Sequence, residues 1–150
     1  MADAAAARYL ALKAVMMPRD TNPYGTIFGG VLLSYIDQAG AVGARRAITA
    51  SGWPDRTLVT VGMQSVAFHE PVLVGDVVSF WTGVVRLGTT SMTMHVEVET
   101  EREQHTVKLT EAEVTYVAVE CDATGRRPVP LRAEGEVNPP RRPKRRPGSK

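Results

Sequence analysis

The clearest signal in the chain is an alternation. Met92, Met94, Val96 and Val98 are apolar, and Thr93, His95, Glu97 and Glu99 between them are polar. That period of two predicts a strand over Thr90–Glu101 with one buried and one wet face. Similar readings predict strands over Arg8–Met17, Thr57–Phe68, Asp76–Leu87 and Thr106–Glu120. In two of them the phase breaks: Val59, Val61 and Met63 are out of step with Val66 and Phe68, and Val107 and Leu109 with Ala112, Val114 and Tyr116. A flip near Thr110 predicts a β-bulge. Gly29–Ala47 has a different period. It lacks proline, and Leu32, Ile36, Ala39 and Gly43 fall on one helical stripe, extended by Leu33 and Gly40. The opposite side is also small or apolar, so the segment predicts a buried helix approached closely by a neighbour. Arg45 and Arg46 are expected in its last turns, where cations suit the dipole. Prolines and glycines assign 18–25, 51–56 and 70–75 to loops, and Gly88-Thr89 to a hairpin turn.

The order is therefore strand, helix, then four strands on short links. Short links favour antiparallel pairing, which makes the chain α+β, with one helix covering an antiparallel sheet. One helix cannot cover all the apolar surface of five strands. The apolar residues of Met92–Val98 and both faces of 76–87 are accordingly expected at a subunit interface.

Composition narrows the function. At 150 residues the chain has room for one domain. The net charge of +2 is a sum of unlike parts. Residues 138–150 hold six basic residues and no acid, which leaves 12 basic and 16 acidic residues in 1–137, a net charge of −4. An acidic body argues against a basic DNA-binding domain. Cys121 is the only cysteine, so neither an intrachain disulfide nor a cysteine-rich zinc site is available. His69, His95 and His105 show no ligand spacing, and no metal is expected. The absence of a long apolar run or a charged leader with an apolar stretch predicts a cytoplasmic protein without membrane spans. Residues 1–7 are expected to be flexible. The basic, Pro-rich residues 132–150 read as a disordered tail, with contact to nucleic acid or anionic lipid as the lesser alternative.

The chemistry concentrates in Asp20–Gly40, DTNPYGTIFGGVLLSYIDQAG. Asp37 lies on or beside the apolar stripe with no Lys or Arg three or four residues away, so it must find another partner or titrate abnormally. The alternative is a carboxylate satisfied by Ser34 or by a strand. Gly29 and Gly30 open the helix, where orphan N–H groups favour negative charge or a developing oxyanion; alternatively they serve only close packing. Asn22 precedes them and could instead build its own turn. A carboxylate, oxyanion donors and an amide in one segment form a set suited to acyl transfer. Gly30 and Asp37 are seven residues apart, about 10.5 Å along a helix, too far to serve one carbonyl. Asp37 of one subunit is therefore expected to work with the Gly30 and Asn22 region of another.

This segment resembles the hallmark of hotdog-fold acyl-CoA thioesterases, in the acyl-CoA hydrolase branch that includes bacterial YciA-type enzymes. Supporting matches are Phe68-His69-Glu70-Pro71 leading to Val74-Gly75-Asp76, Gly88-Thr89-Thr90-Ser91, and Tyr116-Val117-Ala118-Val119. The resemblance spans about residues 8–131. It implies a long central helix wrapped by a five- to six-stranded antiparallel sheet, a homodimer as the minimal unit and a homohexamer built as a trimer of dimers. It also implies hydrolysis of acyl-CoA, with Asp37 as general base or nucleophile and Asn22 orienting water or carbonyl. Gly29 and Gly30 map to the oxyanion-binding helix start, and Thr89, Thr90 and Ser91 to the path of the pantetheine arm. No cofactor is implied, CoA being part of the substrate. Arg45, Arg46, Arg56 and Arg86 are the available partners for its phosphates, and Tyr24, Phe28 and Tyr35 are candidates to line the acyl site. His69 is a candidate supporting residue. Where the family carries Arg before the matched proline, this chain has Glu70. A hotdog protein that binds acyl-CoA without hydrolysing it is the competing reading.

Overall fold

Freedom from proline and the stripe of small and apolar residues give a helix, α1, that runs Gly29–Ala50 in a computed structural model that describes residues 7–133. Around it lie β1 (Tyr9–Val15), β2 (Thr57–Phe68), β3 (Val77–Leu87), β4 (Ser91–Arg102), β5 (His105–Asp122) and β6 (Gly125–Pro128), with one 3-10 turn at Pro18–Asp20. The strands form one antiparallel sheet in the order β1-β3-β4-β5-β2, and β6 folds back on β5. The α+β architecture of one helix on an antiparallel sheet is thus the one the element order predicts.

The core lies between α1 and the sheet. Leu32, Ile36, Ala39, Ala44 and Ile48 of the helix meet Val78, Phe80, Met92, Met94, Val96 and Val98 of β3 and β4. Two glycines set how close the layers come. A methyl group on Gly40 would overlap the Tyr116 hydroxyl, and one on Gly43 would overlap Thr82 of β3. The expectation that the Met92–Val98 face forms a subunit interface is corrected: these four apolar residues are at most 1 % exposed within the single chain. The helix sits over β3, β4 and β1 and reaches β2 least. Uncovered apolar surface remains on β2, an edge strand, where Val61 and Phe68 are 58 % and 54 % exposed, and at Val15 of β1 and Val77 and Val85 of β3.

The phase breaks are bulges. Val98 stands opposite Thr110 and Glu99 opposite Lys108, which leaves Leu109 unmatched and both Leu109 and Thr110 fully buried. In β2 the register slips between Gln64 and Ala67, at Ser65 with its φ of +54°. The helix outruns its predicted end because Ser51 and Gly52 still bond back to Ala47 and Thr49 before Gly52, at φ +71°, turns the chain. Arg45 and Arg46 consequently do not lie in the last turn. Arg45 pairs with Asp55 at 3.2 Å, and Arg46 stacks on Tyr9 at 5.5 Å. Strand β6, GRRP, has no apolar alternation to announce it. It is set by the turn before it, where the Asp122 carboxylate accepts the Thr124 N–H at 2.8 Å. The predicted tail beyond residue 133 and the first six residues lie outside the described residues.

Candidate functional site

The loop before the helix is organised by Asn22. Its backbone N–H bonds the Thr26 carbonyl at 2.8 Å, and its carbonyl accepts from Gly25, whose φ is +85°. Its side-chain oxygen accepts from the N–H groups of Tyr24 (2.9 Å) and Thr26 (3.2 Å), and its Nδ2 donates to Thr26 Oγ1 at 2.9 Å. An amide nitrogen carries two hydrogens, so one donor of Asn22 is left for another use. The loop is tied to the helix start by the Phe28 N–H on Asp20 and to the following loop by the Ile27 N–H on Val72, both at 2.8 Å.

Phe28 precedes the helix and supplies no side-chain cap. The N–H groups of Gly29 and Gly30 therefore stand in the first turn, at the positive end of the dipole. Packing explains one glycine better than the other. A Cβ on Gly30 would lie 3.1 Å from the Phe28 ring, while one on Gly29 would make an ordinary 3.5 Å contact with Phe68. Beside this first turn is a mainly apolar cleft of about 410 Å³ lined by Thr26, Gly29, Leu32, Phe68, His69 and Pro71 among others.

Asp37 lies two turns further on and is half-buried. Its Oδ1 accepts a 2.7 Å hydrogen bond from Thr60 Oγ1 of β2 and faces the Tyr116 hydroxyl of β5 at 3.4 Å. That hydroxyl donates to the Asp37 backbone carbonyl at 2.6 Å. Thr60 and Tyr116 are direct cross-strand partners, so one rung of the sheet holds the carboxylate. Ser34 is not its partner and lies against Gln38 instead. Burial, then the charge of Asp37 and the hydrogen bond to it, push the Tyr116 phenol above its ordinary value. Thr60 was not singled out in the sequence, and Tyr116 entered only in its strand's alternation and as the start of a family-like stretch, with no role given. The available signal was Tyr116 itself, a phenol in an apolar alternation whose hydroxyl needs a buried partner.

Within one protomer Asn22 and Asp37 share no hydrogen-bond partner. Thr89, Thr90 and Ser91 form the β3–β4 turn, closed by the Gly88 N–H on the Ser91 carbonyl at 2.7 Å. The Thr90 carbonyl accepts from Ala118 and the Thr89 carbonyl from Leu131. Ser91 pairs with Val117, next to Tyr116. The four arginines make separate contacts: Arg56 caps the Pro130 carbonyl at 2.9 Å and Arg86 reaches Thr93 at 3.4 Å, and Arg45 pairs with Asp55, next to Arg56 in the chain. Near Glu70 the cation is Arg102, which bonds the Pro71 carbonyl at 2.8 Å and Asp76 at 2.5 Å. Burial works to raise Asp76, but Arg102 and the Leu73 N–H outweigh it and hold the carboxyl below its ordinary value. Of the expected acyl-lining residues, Tyr24 is 91 % exposed, Phe28 is 55 % exposed and Tyr35 packs on Phe80.

On the sheet face away from the helix, His69 and His95 each place Nε2 at 3.1 Å from one Glu111 oxygen, and Lys108 Nζ lies 2.7 Å from the second of these. Lys108 holds Glu111 down to about 2, against the effect of burial and with help from both imidazoles. Among the described residues no group of three or more His, Cys, Asp or Glu is placed to hold a metal ion, and no helix is long and apolar enough to cross a membrane.

Residues 24–107 match the family model of the thioesterase superfamily. The chain belongs to that superfamily. It is 40 % identical over 131 residues to the acyl-CoA thioester hydrolase YciA of Salmonella typhimurium, an alignment that covers 84 % of this chain and 92 % of the relative. A hexameric hotdog fold thioesterase of Campylobacter jejuni superposes with a TM-score of 0.67 at 42 % identity, covering 80 % of this chain and 89 % of the other. An acyl-CoA hydrolase of Staphylococcus aureus, solved with butyryl-CoA and CoA, superposes at 0.67 with 27 % identity, covering 79 % and 68 %. Variants of that enzyme with an aspartate or an asparagine replaced by alanine are also among the similar structures. The fold is the hotdog fold, as the resemblance in the sequence implies.

Proposed function

We propose that the protein hydrolyses acyl-CoA thioesters to free acid and CoA. The observation that carries this reading is the state of Asp37. Its Oδ1 is held by Thr60 and faces Tyr116, while its Oδ2 has no hydrogen-bond partner among the described residues. One oxygen fixes the geometry, and the other is free to take a proton from water or to attack a carbonyl. The spare Nδ2 hydrogen of Asn22 orients the water or the carbonyl, and the Gly30 N–H receives the developing oxyanion. The pantetheine arm passes Thr89, Thr90 and Ser91, with Gly29 and the adjoining cleft receiving the thioester end. No cofactor takes part.

Gly30 lies about 10 Å from Asp37 along the helix and Asn22 in the loop before that helix, so the reading places the two halves on different protomers, with the homodimer as working unit and a hexamer as the assembly, as named for relatives. The test is thiol release from acyl-CoA substrates of graded length by the parent, Asp37→Asn and Asn22→Ala. Each variant should lose at least about a hundredfold. Randomly mixed variants should regain about a quarter of parental activity, because half the dimers are mixed and each of these carries one intact site. Parental activity in Asp37→Asn would refute the assignment; no recovery on mixing would refute the shared site. A second reading, binding without turnover, draws on the full use of the Asn22 side-chain oxygen within its own loop. Acyl-CoA binding with no thiol release at any length would favour it.

A further inference from the structure

The hydroxyl of Tyr116 is joined to Asp37 twice, at the backbone carbonyl and toward the carboxylate, and this double contact has a steric requirement. Gly40 is three residues beyond Asp37, on the helix surface that faces β5. A methyl group there would occupy the space of the phenol oxygen and would lie 3.1 Å from the ring carbon that bears it. The helix thus omits a side chain at the one position where Tyr116 must enter. The carbonyl it meets already belongs to the helix ladder, in which the carbonyl of residue 37 faces the amide of Ala41. A carbonyl oxygen has two lone pairs, so it can accept from Tyr116 as well, and the Ala41 N–H also reaches the phenol oxygen.

We propose that Tyr116 is a positioning residue for the reaction, acting through Asp37. Its hydroxyl locks the helix backbone at Asp37 and presents a partial positive charge to the carboxylate, while Thr60, its cross-strand partner, fixes Oδ1 from the other side. This rests on the reading of Asp37 as the reacting carboxylate. Tyr116 is 1 % exposed, so it acts from behind Asp37 and not as a group that touches the substrate. Three features fit this role and not mere filling of the core. Phenylalanine would fill the same volume without a buried hydroxyl to satisfy. The glycine opposite clears that oxygen foremost, its contacts with the ring carbons being longer. The shift of the phenol above its ordinary range, caused by burial and by Asp37, keeps the proton on the oxygen, so it remains a donor throughout the working pH range.

Tyr116→Phe tests the proposal, because it keeps the ring and deletes only the hydroxyl. Thiol release would be measured across pH, with the folded fraction set by melting and by sedimentation. Tyr116 is the titratable side chain bonded to Asp37 among the described residues; the other partner, Thr60, does not titrate. Loss of the hydroxyl dipole beside the carboxylate disfavours its charged form, so the acidic limb of kcat/KM should move to higher pH. At the optimum kcat should fall about tenfold, the value of one modest hydrogen bond made to the reacting group, and KM should change by less than twofold. Tyr116→Leu serves as the comparison: a purely structural role lowers the folded fraction without moving the pH limb of the molecules that remain folded. Unchanged kcat and an unchanged acidic limb in folded Tyr116→Phe, with Asp37→Asn inactive, would overturn this inference and leave the proposed function standing. Full activity in Asp37→Asn would overturn both.

Discussion

Substitution of alanine at Gly40 isolates the contact between helix and sheet on which the site depends. In an open helix, Gly→Ala stabilises by about 1 kcal/mol, and a buried methyl group adds up to about 0.8 kcal/mol. Against this, the new Cβ falls on the Tyr116 hydroxyl and lies 3.1 and 3.2 Å from two ring carbons. Overpacking of that kind costs about 1–3 kcal/mol, and displacement of the hydroxyl from the Asp37 carbonyl costs about 1 kcal/mol more. The balance is a destabilisation of about 1 kcal/mol for Gly40→Ala in the parent. In a Tyr116→Phe background the oxygen is gone and the hydrogen bond is already lost. Only the ring contact remains, and a movement of a few tenths of an ångström relieves it. There Gly40→Ala should be neutral or slightly stabilising. The coupling between the two sites is therefore about 1–2 kcal/mol, or about 3–6 °C in melting temperature at this size. Thermal unfolding of the four proteins at one fixed concentration measures it, because an oligomer melts in a concentration-dependent way. An equal cost for Gly40→Ala in both backgrounds would refute the claim that the phenol oxygen requires the glycine. Gly43→Ala is the internal contrast: its Cβ would lie 2.6 Å from the Thr82 Cβ as well as overlap the hydroxyl, so Thr82→Ala should not rescue it.

Other parts of the site give separate outcomes. Thr60→Val removes the 2.7 Å bond to Asp37 and should lower kcat about tenfold with little change in melting temperature; an unchanged kcat would show that Tyr116 alone suffices to hold the carboxylate. Asn22→Asp keeps an oxygen for the Tyr24 and Thr26 amides but loses the spare donor, so it should abolish thiol release while retaining the loop's stability, whereas Asn22→Ala should lose both, with about 1–2 kcal/mol of stability. Glu111, held by Lys108 down to about 2 from an ordinary 4.5, binds its proton more weakly folded than unfolded; its stabilisation is present above pH 4.5 and is lost as pH falls toward 2. Because the cluster is partly solvent-exposed, Lys108→Met should cost under about 1 kcal/mol at neutral pH, and the difference between it and the parent should shrink in acid; a constant difference from pH 6 to pH 2.5 would argue against the pair.

The difference between what the sequence disclosed and what it hid follows from the range of the interactions involved. Strand β4 was readable because alternation is local and its wet face carries charge. The bulge at Leu109 was readable because an extra residue shifts every side chain after it to the other face. Strand β6 was not, because it is made by a turn at Asp122 and by backbone bonds to β5, and GRRP has no buried face to leave a pattern. The interface expected at Met92–Val98 failed for a related reason: apolar surface can be counted from a sequence, but which strands the helix covers depends on strand order, and the order β1-β3-β4-β5-β2 puts β3 and β4 beneath it. The same limit governs the site. Asp37 stood out because an acid on a helical apolar stripe violates the local pattern, and Gly29-Gly30 and Asn22 stood out through their place at a helix start. Thr60 lies 23 residues and Tyr116 lies 79 residues from Asp37, and each obeys its own strand's pattern, so neither pointed to Asp37, and the phenol of Tyr116 signalled only that it needs some buried partner. What joins them is a single rung of β2 and β5 and the absence of a side chain at Gly40. A reacting group announces itself by breaking a local rule; the residues that hold it in place keep the local rules and become visible only when the sheet is assembled.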